Sequence, residues 1–165
     1  MVSSPKEQRK RCDKLMELAV ENLDKYLSAD GEWVKELPEM SMRVYLGVAQ
    51  VYLRSRKPEN IRKANLLIVK SVPNRCHFAP MTALQILTKY GTLLSEEARE
   101  RLRTYAEAHM EEFAGDDMDF LGVNDNFPSM ATYSLVMGGQ VLERPELVER
   151  GRERLRQFQS LFTRR

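Results

Sequence analysis

Three methionine-led apolar segments, each followed at a near-constant distance by a charged one, constrain this chain more than any other feature. Met42, Met81 and Met130 stand 39 and 49 residues apart, opening apolar stretches that run to Leu53, Leu94 and Leu142. Pro58, Ser95 and Pro145 follow 14 to 16 positions after their methionine, and each starts a second, charged stretch. The second and third units share a lead-in, Phe78-Ala79-Pro80-Met81 against Phe127-Pro128-Ser129-Met130, and Ala98 and Leu102 match Leu147 and Gly151 at one offset. Recurrence at a period of roughly 20–50 residues is the mark of stacked supersecondary units that bury their apolar faces on one another.

Local signals make those units helical. Ser4-Pro5-Lys6-Glu7 is a capping box with proline at the first helical position. Behind it Cys12, Leu15, Met16, Ala19, Leu23, Tyr26 and Leu27 follow the 3.6-residue rhythm of one buried face, which Asp30-Gly31 then stops. Further starts fall at Pro58-Glu59, Pro80, Ser95-Glu96-Glu97, Pro128 and Pro145-Glu146, where proline or an acidic first turn suits free amides and the positive dipole end. No segment alternates as a strand does. The fold class expected is all-α.

The two helices of a unit differ in kind. The first is apolar on most of its circumference and must be covered on several sides. It carries interior glycine, at Gly47, Gly91 and Gly138-Gly139, at a cost of about 0.8–1 kcal/mol each relative to alanine. Close approach of a neighbouring backbone is the expected gain. The second helix presents Glu96, Arg99, Arg103 and Glu107 to solvent. Antiparallel pairs with first helices side by side and second helices behind them describe an α/α solenoid or a partial α/α toroid. The division expected is one helical-repeat domain over 1–165, with a leading helix at about 4–30 and units at 40–72, 78–114 and 127–163.

Composition excludes several classes. The chain is 42% hydrophobic and 30% charged, ordinary for a folded globular protein. With 26 basic and 24 acidic residues the net charge is +2, so no global field recruits nucleic acid or a membrane. The arginines of the last helix, Arg150, Arg152, Arg154 and Arg156, interleave with Glu146, Glu149 and Glu153 and read as a solvated face. The longest aliphatic run, Leu66 to Val69, is far too short to span a bilayer, and the N-terminus lacks the apolar stretch of a signal peptide. Cys12 and Cys76 match no zinc or redox spacing and read as reduced, partly buried thiols. A cytoplasmic protein fits these features, or a secreted one if a leader precedes it.

Candidate chemistry sits in the loops that enter the first helices. One places Asn74, Arg75 and His77 ahead of Pro80; the other ends in Asn124-Asp125-Asn126 ahead of Pro128. Aligned on the phenylalanine, His77 and Asn126 are equivalent positions of successive repeats. Both adjoin helix N-termini, where free amides favour anionic groups. Asp116, Asp117 and Asp119 lack the spacing and terminal glutamate of a calcium loop, so no metal is expected. Trp33 is a candidate sugar-stacking platform.

Gly122-Val-Asn-Asp-Asn-Phe-Pro-Ser-Met130, the following Gly138-Gly139 helix and the repeated pairs resemble the α/α toroid enzymes that act on polysaccharides, among them polysaccharide lyases and several glycoside hydrolases. The resemblance extends to an N-terminal part of such a toroid. It implies action on an acidic polysaccharide by β-elimination or else by hydrolysis, with an oligosaccharide or polysaccharide as partner and no cofactor. Carried over by position, Asn124, Asn126 or Arg75 would neutralise a uronate carboxylate and His77 would be the acid/base, with Asp125 as general acid in a hydrolase. A ring of six pairs at about 40–50 residues each needs more chain than this, which implies a homodimer or a C-terminal half beyond residue 165.

The same residues have plainer readings. Asn124 and Asn126 suit helix capping, His77 a structural position, and Trp33 a core anchor. Met42, Tyr45, Met81, Tyr90, Met130 and Tyr133 suit core packing. The competing functional class is a non-catalytic helical-repeat module whose concave face binds a peptide or protein.

Overall fold

The computed structural model describes residues 4–34, 42–73, 77–115 and 126–162. Among these, seven α-helices form: α1 Pro5–Leu23, α2 Met42–Ser55, α3 Pro58–Lys70, α4 Phe78–Tyr90, α5 Glu96–Ala114, α6 Asn126–Val141 and α7 Pro145–Phe162, with a 3-10 turn Gly91–Leu93 after α4. No strand forms among the described residues; Leu27 and Trp33 make one isolated bridge. The chain is all-α.

Helix starts follow the local chemistry. Ser4 and Glu7 close the capping box in both directions, and the Ser95 hydroxyl accepts from the Ala98 amide. Pro58 and Pro145 open α3 and α7. The helices α4 and α6 start two residues ahead of Pro80 and Pro128, so each proline lies in a first turn, where its missing N–H removes no bond. The α2–α3 and α6–α7 turns repeat one device. Arg56 and Glu143, each two residues before a proline, adopt φ 57°, and the residue between is held away from the helical region by the proline ring. Turns this short leave the two helices of a pair antiparallel.

The packing order follows the pairs. The helix α4 lies between α2 and α6, α5 lies between α3 and α7, and α1 packs on α2. One core cluster joins Leu46, Tyr52 and Leu53 of α2 to Leu67 and Ile68 of α3, Ile86 of α4 and Leu102 of α5. A second joins Leu84 of α4 to Met110 and Phe113 of α5, Leu135 of α6 and Leu147 of α7.

Glycine brings two backbones together in the last helix pair, while Gly138 makes room for a side chain, Met110 Sδ, which would lie 2.6 Å from its Cβ. A Cβ on Gly139 would stand 2.8 Å from the Arg144 carbonyl and the Val148 amide, and one on Gly151 would stand 2.7 Å from Val136 Cγ2. The helices α6 and α7 therefore meet backbone to backbone. At Gly47 and Gly91 a Cβ would meet nothing within 4 Å, which overturns the close-approach expectation there: both glycines face open space.

Three further expectations need correction. No residue of α1 is buried. Leu15 is 64% and Leu18 48% exposed, and the Cys12 thiol is exposed. Among the described residues this helix packs chiefly on α2, so its covered stripe shrinks to half-buried positions such as Val20 and Leu23. It also ends at Leu23, short of Asp30-Gly31. Tyr133 is 37% exposed and so is not a core tyrosine. The arginines of α5 and α7 are not simply solvated either. Arg154 is 6% exposed and donates to the Gly115 carbonyl, while Arg150 donates to the Ala114 carbonyl. Arg99 donates to the Gly91 and Leu94 carbonyls, and Arg103 to Val141.

These bonds form a repeating latch. Arg62 donates to the Ala29 carbonyl, Arg101 to Ser71 and Arg150 to Ala114. Arg62, Arg101 and Arg150 are spaced by 39 and 49 residues, as are the three methionines. Arg101 and Arg150 thus secure the C-terminal end of the preceding second helix, and Arg62 the loop that follows α1. A helix C-terminus leaves up to four carbonyls without intrahelical donors, and a guanidinium both donates to them and opposes the negative dipole end.

Replacing Arg101 by alanine should lower unfolding free energy by about 1–3 kcal/mol, the range for losing a charge-assisted bond to a partly buried carbonyl; urea denaturation measures it. Gly31→Ala should cost at least about 1 kcal/mol, because Gly31 sits at φ +72° and its Cβ would meet Leu66 Cβ at 2.9 Å. An unchanged urea midpoint in either variant would contradict the latch or the turn geometry respectively.

Candidate functional site

The N-terminal ends of α2, α4 and α6 converge. His77 is the N-cap residue of α4, and its ring centroid lies 5.1 Å from that of Phe127, the second residue of α6. The same imidazole lies 4.5 Å from Phe78, over whose ring the Arg43 guanidinium of α2 sits at 4.5 Å. Phe127 continues the row to Phe113 of α5 at 6.1 Å. His77 and Asn126 accordingly stand at the same end of neighbouring helices, Asn126 being the exposed first residue of α6.

His77 is half-buried, and its Nε2 is buried with no hydrogen-bond partner among the described residues. Loss of hydration, with a smaller contribution from the nearby Arg43 charge, holds its pKa below the ordinary histidine value. The neutral ring is therefore favoured, wedged between Phe78 and Phe127. Trp33 lies elsewhere. Its ring meets Tyr45 edge-on at 5.5 Å, and its Nε1 is buried without a partner among the described residues. Tyr45 and Arg43 point roughly 200° apart on α2, at 100° per residue, so Trp33 occupies the opposite flank from His77. Asn74, Arg75, Asn124 and Asp125 lie outside the described residues, as do Cys76 and the aspartates at 116, 117 and 119.

Along the same helices runs a surface with a one-sided charge. The helices α2, α4 and α6 contain no aspartate or glutamate. Their exposed residues include the cations Arg43, Arg54 and Lys89 and the neutral Ser129, Tyr133, Thr88 and Gln140. Gln50 donates to Gln85 across α2 and α4 at 3.3 Å, and the Thr88 hydroxyl reaches Met137 Sδ across α4 and α6 at 3.6 Å. Both contacts join neighbouring first helices on that face. The missing carboxylates are plain in the sequence once the first helices are set apart from the second; a whole-chain net charge of +2 conceals them.

Acidic groups gather on other elements. Asp13, Glu17, Glu21 and Asp24 line a cleft of about 380 Å³ against Arg54, Lys57 and Asn60. There Asp24 accepts from Tyr52 Oη at 2.8 Å and pairs with Lys63. Burial first, and Asp24 second, push the Tyr52 phenol well above its ordinary pKa. Among the described residues no group of three His, Cys, Asp or Glu is placed to hold a metal ion. No described helix is long and apolar enough to cross a membrane.

The wedged histidine has a titration consequence. Its pKa is lower folded than unfolded, so as pH falls below about 6.5 the unfolded chain takes up the proton first. Stability is therefore full above that value and declines as pH drops toward the folded pKa. Melting temperature should fall between pH 7 and pH 5.5, and His77→Phe should flatten that slope while keeping the aromatic row. An equal slope in the variant would show that His77 is not the titrating group.

Compared with protein-family models, curated proteins and solved structures, the chain matches none.

Proposed function

We propose that the chain is an α/α helical-repeat binding module, an arc of solenoid type, whose α2–α4–α6 face takes an extended acidic polysaccharide. One observation carries this reading: α2, α4 and α6 hold not one carboxylate and offer the exposed cations Arg43 and Lys89, while Arg54 at the end of α2 turns to the acidic cleft of α1. Its neutral members are amides and hydroxyls, Gln50, Gln85, Gln140, Thr88, Ser129 and Tyr133, which hydrogen-bond to sugar hydroxyls in either direction. The repeated latch supports a stack of units, and stacking is what extends a ligand face in one dimension. One feature counts against His77 as a proton carrier. His77 Nε2 is buried, and a base must come within about 2.6–3.2 Å of the proton it takes.

Isothermal titration with uronate oligosaccharides, neutral gluco-oligosaccharides and a polyglutamate peptide tests the proposal. Uronate chains should bind, neutral chains should not, and affinity should fall as salt rises. The double variant Arg43→Gln/Lys89→Gln should weaken binding about two- to thirtyfold, since exposed ion pairs contribute only about 0.2–1 kcal/mol each. Stronger binding of polyglutamate would make this a peptide-binding module instead. Release of unsaturated uronate product would restore a lyase reading.

A further inference from the structure

We infer that the cleft between the C-terminal ends of α4 and α6 is a binding site for one oxyanion, a carboxylate or a sulfate ester. The cleft has a volume of about 410 Å³, and Thr88, Gly91, Arg99, Arg103, Met137 and Gln140 line it. No carboxylate is among its lining residues. Given the acidic-polysaccharide reading, it is the subsite that holds a charged substituent of the chain; as an anion site it stands without that reading.

The two arginines play different parts. Arg99 is fully engaged: it pairs with Glu96 at 2.7 Å and donates to Gly91 and Leu94. Arg103 is half-buried and donates to the Val141 carbonyl at 3.3 Å, and it forms no ion pair among the described residues. A guanidinium carries five N–H donors in a planar fork that matches an oxyanion edge. Arg103 thus arrives from α5 at the back of the cleft, charged and largely unspent. Gly91 leaves the entrance open, since a Cβ there would meet nothing within 4 Å.

The charge balance decides the sign of the ligand. Two helix C-termini contribute about half a negative charge each, and Glu96 contributes a full one through its pair with Arg99. Against these stand Arg99 and Arg103 in the lining and the exposed Lys89, beside but not in the lining, in the last turn of α4. The remainder is about one positive charge. In an open, solvated cleft that favours one anionic group at millimolar rather than nanomolar affinity.

Backbone 1H–15N spectra of the full chain, titrated with sodium sulfate and with sodium acetate at constant ionic strength, test the site. Saturable shifts should appear at the amides of Thr88, Gly91 and Gln140 with at least one anion, and the stronger one separates sulfate ester from uronate chemistry. Arg103→Gln should weaken the effect about tenfold, the scale of one charge-assisted bond. Gln140→Glu removes no capping bond and sets a carboxylate beside Arg103, so it should weaken binding equally if Arg103→Gln unfolds the protein. Shifts that never saturate, or that persist unchanged in Gln140→Glu, would overturn the site. Sulfate binding in a protein that ignores uronate chains would keep the site and end the glycan reading. Uronate binding weakened by Arg43→Gln/Lys89→Gln but indifferent to Arg103→Gln and Gln140→Glu would keep the glycan reading and end the site.

Discussion

The unfilled carbonyl at the end of a helix organises this protein. Every α-helix finishes with acceptors that its own backbone cannot supply, and burying them unmet costs about 1–3 kcal/mol apiece. Here the donors come from side chains of a neighbouring element. Arg101 reaches the end of α3, Arg150 and Arg154 reach the end of α5, and Arg99 and Arg103 reach the ends of α4 and α6. One residue type thereby satisfies a local backbone requirement and sets the spacing between helices. The apolar clusters supply bulk stabilisation, but apolar contact has no direction. The guanidinium fork does, and it holds each helix end to a defined partner.

The pairs differ in how tightly they close. Gly139 and Gly151 bring α6 and α7 into backbone contact, whereas α1 lies on α2 with no residue of its own buried. Its upper turns carry Lys6, Arg9, Lys10, Arg11 and Lys14, and its covered stripe is narrow. Helix propensity and the capping box at Ser4 hold its first turn together where tertiary contact does not. Order along the chain therefore rests on different terms in different places: caps at the start, aliphatic packing in the middle, and glycine-mediated approach in the last pair.

What the sequence discloses depends on the range of the physical signal. Helix starts at Ser4, Pro58, Ser95 and Pro145 are legible because cap and first turn lie within four residues. The placement of His77 and Asn126 at the same end of neighbouring helices is legible through the register of their two segments, aligned on Phe78 and Phe127. The latches are not legible by residue type. Arg150 and Arg152 look alike in the sequence, yet one bonds to Ala114, 36 residues away, while the other pairs with Glu149. The register of Arg62, Arg101 and Arg150 with the methionines is the signal that separates them. Gly47 misleads for the opposite reason: a glycine in a helix looks the same whether its missing Cβ admits a backbone or faces open space. The proposed site divides along the same line. Its lack of carboxylates is a matter of composition by helix, but the burial of His77 Nε2 depends on Phe78 and Phe127 together.

The latch has a direction in time as well as in space. Arg62, Arg101 and Arg150 each reach back to a carbonyl 30 to 36 residues earlier in the chain. During synthesis the acceptor is therefore complete before its donor emerges, and N-terminal parts fold first. Each new pair docks onto a finished surface, and each of these three carbonyls meets its donor within the next unit. Assembly can proceed vectorially, one pair at a time, with the sequence separation of contacts kept short and the folding barrier correspondingly low.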